Sequence, residues 1–266
     1  MTLIILLYLL LGGTAGFFAG LFGIGAGILM VPALQELFIA QGWSTDIALR
    51  QALGTSMAAI IFNSLASLRA HHRHGAVLWP TVSLITPGIL VGTLAGTQLA
   101  HLLPTQGLTL FFVGFLLFVA TQMAFDLRPA PRRKLPGGTV LTAVGACIGV
   151  VMSLIAGGGG ALAVPFLIWC NIEMKKAVGT AAAIGFPIAV SGTLGYVLAG
   201  RNLHGLPDWS IGYVYLPALL ATVTTSSLTA PLGANLAHRL PTRTLKRTFA
   251  GLLLLVAARM IYQTTQ

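Results

Sequence analysis

The chain has 266 residues, of which 56% are hydrophobic and 8% charged, and carries a formal net charge of +10. A soluble domain holds about a quarter charged residues, so this composition excludes a water-soluble enzyme or binding module and points to an integral helical membrane protein. The basic residues sit in short connections between apolar runs. Their excess therefore reports loop sidedness and not a nucleic-acid surface.

In chain order, the apolar runs of the first half cover 3–21, 27–41, 47–69, 77–100 and 106–124. The first run lacks the basic leader and cleavage site of a signal peptide and reads as a membrane segment. Residues Arg128 to Pro136 are Pro-rich, basic and without periodicity, which marks a linker. The second half then gives 138–155, 160–171, 175–199, 209–236 and 243–261. Cys147 and Cys170 lie inside apolar runs, offer no disulfide framework or metal spacing, and read as small buried side chains.

The halves align in order, with offsets between 125 and 137. Arg50-Gln-Ala-Leu-Gly-Thr55 matches Lys175-Lys-Ala-Val-Gly-Thr180, and Leu99-Ala-His-Leu-Leu-Pro-Thr105 matches Leu236-Ala-His-Arg-Leu-Pro-Thr242. A glycine cluster between Gly20 and Val31-Pro32 recurs between Ser153 and Val164-Pro165. The chain thus reads as a duplication, with a first membrane repeat over 1–127, a linker over 128–136 and a second repeat over 137–266.

Each glycine cluster interrupts an apolar run, and glycine disfavours helix by about 1 kcal/mol per residue. Counting 3–41 and 138–171 as single crossings splits the fifteen Lys and Arg eight to seven, which is no bias. Counting each as a hairpin puts twelve on the linker side and leaves Arg50, Arg201 and Arg259 on the other. The positive-inside rule favours the hairpins. The predicted fold is an all-α integral membrane protein of two inverted repeats. Each repeat has about five membrane segments and opens with a glycine-broken hairpin, giving eight to ten segments in total. The reading puts both termini in the periplasm and the linker in the cytoplasm. Segment 160–171 is short of a full crossing, since twelve residues rise about 18 Å against a core of about 30 Å, so half-helices meeting near the midplane fit this arm. Gly12, Gly16 and Gly20, Gly92 and Gly96, and Gly145 and Gly149 recur at every fourth residue, a spacing that lets helices approach closely.

Broken backbone at membrane depth is tolerated where it is buried in protein or lines a wet cavity, and a matched pair of broken segments marks a transporter's binding site. A helix restarting after a glycine break points free N–H groups and a partial positive charge at the gap, which suits an anion. The candidate substrate site is therefore Gly23, Gly25 and Gly27 of the first break with Gly158, Gly159 and Gly160 of the second. Gly54, Thr55 and Ser56 with Gly179 and Thr180 add backbone and hydroxyl donors. Asn63, an amide inside an apolar run, either lines the path or joins two helices. The hydroxyl run from Thr222 to Thr229 reads similarly. Arg50 and Lys175 are either anion entrances, one on each face, or loop residues serving solubility and topology, and Glu36, Asp46 and Glu173 are placed to pair with them. Arg259 reads as snorkelling outward. His71, His72 and His74 form a solvated turn. The sequence carries no Ser-His-Asp order, phosphate loop or paired carboxylates, and the reading includes no enzyme chemistry, metal, cofactor or nucleic acid. It leaves room for a homodimer.

These residues together resemble one family. Gly20-Leu-Phe-Gly-Ile-Gly-Ala-Gly-Ile-Leu-Met-Val-Pro32, Ala52-Leu-Gly-Thr-Ser56 and Gly92-Thr-Leu-Ala-Gly-Thr-Gln-Leu-Ala100 are similar to the sulfite exporter TauE/SafE membrane transporters, also called toluenesulfonate uptake permeases. The resemblance implies a carrier of sulfite or organosulfonates in a bacterial inner membrane, often with about eight helices. Ala181 stands where the first repeat has Ser56, so a site built from both repeats is asymmetric. A passive anion channel, or a carrier of another small organic anion such as a carboxylate, is the alternative.

Overall fold

The computed structural model describes residues 2–22, 27–125, 133–203, 205–237 and 242–264. The helices are α1 (Thr2–Phe22), α2 (Gly27–Ala40), α3 (Thr45–Arg73), α4 (Trp79–Leu102), α5 (Thr105–Ala124), α6 (Gly138–Leu154), α7 (Gly160–Trp169), α8 (Met174–Gly200), α9 (Leu216–Ala237) and α10 (Thr242–Thr264). By length and composition α3, α4, α5 and α8 can each cross a membrane. The outer surface is apolar: Leu110 on α5, Leu228 on α9 and Leu255 on α10 are 59%, 70% and 68% exposed. Leucines left bare in this number need lipid around them.

Local chemistry sets the ends of the elements. Ser44 begins α3, its hydroxyl accepting from the Ile47 N–H. α2 and α7 stop alike. Trp43 N–H reaches Phe38 C=O while Gly42, at φ 86°, bonds Ile39, and Ile172 reaches Leu167 while Asn171, at φ 61°, bonds Ile168. This is the Schellman stop, with a left-handed residue closing the helix.

The ninth apolar run is predicted from 209, but α9 starts at Leu216. The intervening residues make a small hairpin of β1 (Ser210–Ile211) and β2 (Val214–Tyr215), with Ser210 opposite Tyr215. Its turn holds Gly212 at φ 54°, and the flanking Ile, Val and Tyr residues favour strand over helix. Apolarity alone does not separate the two.

Both glycine-broken arms are hairpins. Gln41, just past α2, donates to the Tyr8 hydroxyl of α1 at 2.6 Å, so the far ends of α1 and α2 lie together. In the second arm the Arg133 N–H, ahead of α6, bonds the Trp169 carbonyl at the end of α7, and the Arg133 guanidinium sits over the Trp169 ring. From there the chain alternates in direction. Gly27 faces Ile60, so α2 and α3 are antiparallel. Arg50 reaches His101 and Leu103 while His72 meets Trp79, so α3 and α4 are antiparallel as well.

The two halves interleave. α1 packs along α9, with Gly12 against Thr222 and Gly16 against Ser226, and the pair is parallel. α4 packs along α6, with Gly88 against Thr142 and Gly92 against Ala146, again parallel. On the central contact Gly54 meets Tyr196, Met57 meets Gly192 and Ser64 meets Gly185, so α3 and its counterpart α8 cross antiparallel. α6 therefore runs opposite to α1, and the five-helix halves are inverted copies. One face of the bundle holds the N-terminal end of α1 and Arg50, Arg201 and Arg259. The other holds Arg69, Arg73, Arg133, Lys134, Lys175 and Lys176.

Candidate functional site

The two breaks meet inside the bundle. α6 ends in a Schellman stop in which Gly157 N–H bonds Met152 C=O at 2.8 Å and Ala156, at φ 46°, bonds Ser153. Residues from Met152 to Gly159 are buried throughout. A side-chain carbon on Gly27 at the start of α2 would run into the Ala156 carbonyl and the end of Ile60. One on Gly159 would strike the Ala181 carbonyl and the Gly185 amide of α8. Gly159 caps α7 without a side-chain bond, and the first backbone bond of that helix runs from Ala163 N–H to Gly159 C=O. The N–H groups of Gly160, Ala161 and Leu162 therefore have no acceptor within the helix. Gly23 and Gly25 lie outside the described residues.

Across from this junction stands one face of α3. Ile60 reaches Gly27, and Ser56 and Asn63, four residues before and three after, share its face. Ser56 is fully buried and its hydroxyl has no hydrogen-bond partner, and the buried Asn63 Nδ2 is likewise unpartnered. An unmade bond at a buried polar group costs about 1–3 kcal/mol. On α8 the equivalents of Ser56, Ile60 and Asn63 are Ala181, Gly185 and Ile188. The second repeat therefore has no hydroxyl or amide at these equivalent places, and at the junction it presents the Ala181 carbonyl and Gly185 to Gly159.

The Gly-Thr pairs do something the sequence did not reveal. Each clasps the opposite repeat. A carbon added to Gly54 would collide with the Tyr213 carbonyl, and the Thr55 hydroxyl accepts from Tyr215 N–H at 3.0 Å. Likewise Gly179 lies against the Ala76 carbonyl, and the Thr180 hydroxyl accepts from Leu78 N–H at 3.0 Å. Both clasps are closed, one at each face, and Thr55 and Thr180 are fully buried.

The profile of the family described as "Sulfite exporter TauE/SafE" matches residues 8–260. The chain belongs to this family. It is 34% identical over 259 residues to a "Probable membrane transporter protein" of Haemophilus influenzae, covering 96% of this chain and 97% of that one. It is also similar to the "Probable membrane transporter protein YdhB" of Bacillus subtilis, 29% over 95% of this chain and 99% of the relative. The "Probable membrane transporter protein YunE" of the same organism is 25% identical over 99% and 98%. No solved structure matches the chain. A multi-pass membrane transporter is what these likenesses and the apolar helices establish.

Within this TauE/SafE chain Arg50 departs from the expectation of an anion entrance. It is 5% exposed. Its guanidinium pairs with Asp46 and donates to the Leu103 carbonyl at 2.8 Å and the His101 carbonyl at 3.2 Å, which fastens the end of α4. Its buried Nε is unpartnered, but both terminal nitrogens are engaged, so the group is held in the bundle and not presented at an entrance. Its counterpart Lys175 is exposed. Arg259 does not snorkel alone: it pairs with Glu36 of α2 at 2.7 Å. The hydroxyls from Thr222 to Thr229 mostly return to carbonyls of their own helix, and Thr229 also donates to Gly13 of α1 at 2.7 Å. That run is the seat of α1.

Two residues that the sequence reading left without a role join the clasp of Gly54 and Thr55. His101 Nδ1 lies 3.0 Å from the Tyr213 hydroxyl, beside Gln51, which donates to Ser210 at 3.1 Å. Burial pushes the Tyr213 phenol above its ordinary value, so it stays protonated, and the tautomer of His101 decides which of the two donates. The repeated Ala-His pair at His101 was visible in the alignment, but its partner lies 112 residues away.

Proposed function

We propose that this TauE/SafE chain is a secondary transporter of small sulfur-containing anions, sulfite or organosulfonates, held between the two glycine breaks. The observation that carries this is the junction itself. Gly27, at the start of α2, packs on the Ala156 carbonyl just past α6, on the side of α3 that carries the unpartnered Ser56 and Asn63. The helix starts at the two breaks supply partial positive charge without a buried cation, and either the Ser56 hydroxyl or the Asn63 amide, about 10 Å apart along α3, donates to the anion's oxygens. Solvation by fixed backbone dipoles suits transport, because an anion held by N–H groups alone is released more readily than one paired with a guanidinium.

In this reading the protein lies in a bacterial inner membrane. The face carrying the linker and Lys175 is cytoplasmic, both termini are periplasmic, and no enzymatic step is involved. Purified protein in liposomes tests it: uptake of labelled sulfite or sulfoacetate is expected to saturate and to show counterflow. Single-channel conductance would instead favour a passive pore. Asn63→Ala is expected to weaken apparent affinity about tenfold, the equivalent of about 1.4 kcal/mol, with an unchanged melting temperature. Equal uptake by Asn63→Ala and Gly159→Leu proteins, both folded, would remove the junction from the transport path.

A further inference from the structure

At the face holding the N-terminal end of α1, the end of α2 and the β1–β2 hairpin enclose a cavity of about 580 Å³, within the range of about 300–1,000 Å³ that small ligands occupy. Gly27, Ser56, Asn63 and Gly159 of the junction are not part of its wall. Along α1 the wall is Leu3, Ile4 and Leu7. Leu3 and Leu7 are exposed and continue into Leu6 and Leu10, also exposed, so one apolar stripe runs from the lipid-facing surface into the cavity. The rim is aromatic. Trp43, set just past the Schellman stop of α2, stacks on Phe38 at 4.4 Å, and the Tyr215 ring stands at 90° to it with centres 5.0 Å apart. Trp209 adds an exposed indole on a backbone at φ 66°, which a bulky side chain rarely adopts. Such backbone strain clusters at ligand sites.

Asp208 carries the only charge among the described residues of the wall. Glu36 and Asp46 are paired with Arg259 and Arg50, whereas Asp208 makes no ion pair among the described residues. Gln41 adds an acceptor, because its amide nitrogen is spent on the Tyr8 hydroxyl and the Leu37 carbonyl and its oxygen is left to bond. Tryptophan and tyrosine gather at membrane interfaces in any case. The unpaired carboxylate and the enclosed volume set this group apart: aromatic faces attract a cation and a carboxylate pairs with it. We propose that the cavity binds a zwitterionic phospholipid by its ammonium headgroup, with Asp208 pairing the nitrogen, Trp43, Trp209 and Tyr215 packing about it, and an acyl chain lying on Leu3 and Leu7. A water-soluble ammonium compound would leave the leucine stripe unused, and an anionic lipid would bring its charge against Asp208. The bound lipid bridges the two repeats, since α1 and α2 belong to the first and the hairpin to the second.

The test adds phosphatidylethanolamine, phosphatidylcholine or phosphatidylglycerol of the same acyl chains to delipidated full-length protein in detergent, read by native mass spectrometry and thermal unfolding. The wild type is expected to retain the two zwitterionic lipids about tenfold better than phosphatidylglycerol, and their binding to the folded state should raise its melting temperature. Asp208→Asn, at an exposed position, should keep the lipid-free melting temperature and lose that preference. Ala40→Phe, placed in the wall, should fill the cavity and lose it too. Glycerophosphoethanolamine, the headgroup without its chains, should not bind where the lipid saturates. Equal retention of phosphatidylglycerol by the wild type overturns the proposal, as does a preference that survives in Asp208→Asn. Should Asp208→Asn fail to fold, a preference that survives in Ala40→Phe overturns it equally. Glycerophosphoethanolamine binding as tightly as the lipid would overturn the phospholipid as occupant.

Discussion

Arg50 and Lys175 occupy equivalent positions in the two repeats, yet one is buried with both terminal guanidinium nitrogens bonded and only its Nε unpartnered, while the other faces out. Arg50→Met would strip the His101 and Leu103 carbonyls of a charged donor. Hydrogen bonds to charged groups are worth roughly 1.5–3 kcal/mol, and Asp46 keeps access to water, so a loss of about 2 kcal/mol is expected. Thermal unfolding in detergent should show it, and Lys175→Met should leave the melting temperature in place. The sequence identified both residues but not this difference, because what seals Arg50 is the end of α4, more than fifty residues away. Thr55 is a similar case. Its hydroxyl was read as a ligand for a solute, and its partner is an amide 160 residues along the chain. Asn63 was legible as an amide inside an apolar run, and Ser56 as a hydroxyl donor beside Gly54 and Thr55. That they lack partners is visible only once the helices are packed.

The four-residue glycine spacing foretold close helix contacts and left their partners open. α4 presents Gly88 and Gly92 to the backbone of α6, so a branched side chain there must force the helices apart. Gly92→Val is expected to cost about 1–3 kcal/mol through overpacking and to lower the yield of folded protein. Gly114 on α5 has no atom within 4 Å of its added carbon, so Gly114→Val serves as the matched control and should leave stability unchanged. The hairpin form of both opening arms was legible from the distribution of basic residues, since only odd parity gathers them on one side. The start of α9 was not. Between Trp209 and Leu216 the run is apolar enough for helix, and Gly212 with its neighbours turns it into β1 and β2 instead.

At the scale of the molecule, inversion follows from contacts already described: α1 is parallel to α9, and α3 crosses its counterpart α8 head to tail. Tags on both termini and within the linker should report opposite sides of the membrane in a permeability assay. Finding all three on one side would contradict the membrane orientation proposed above. The interleaving also has a consequence for how the protein is made. The glycine faces of α1 are seated by α9, and α4 is completed by α6, so the first half leaves the ribosome with its lateral surfaces unsatisfied and must wait for its sibling. A gene cut in the linker should therefore yield stable protein only when both fragments are synthesised in the same cell, while residues 1–127 alone are cleared by membrane proteases. The nascent chain has no partial product worth keeping.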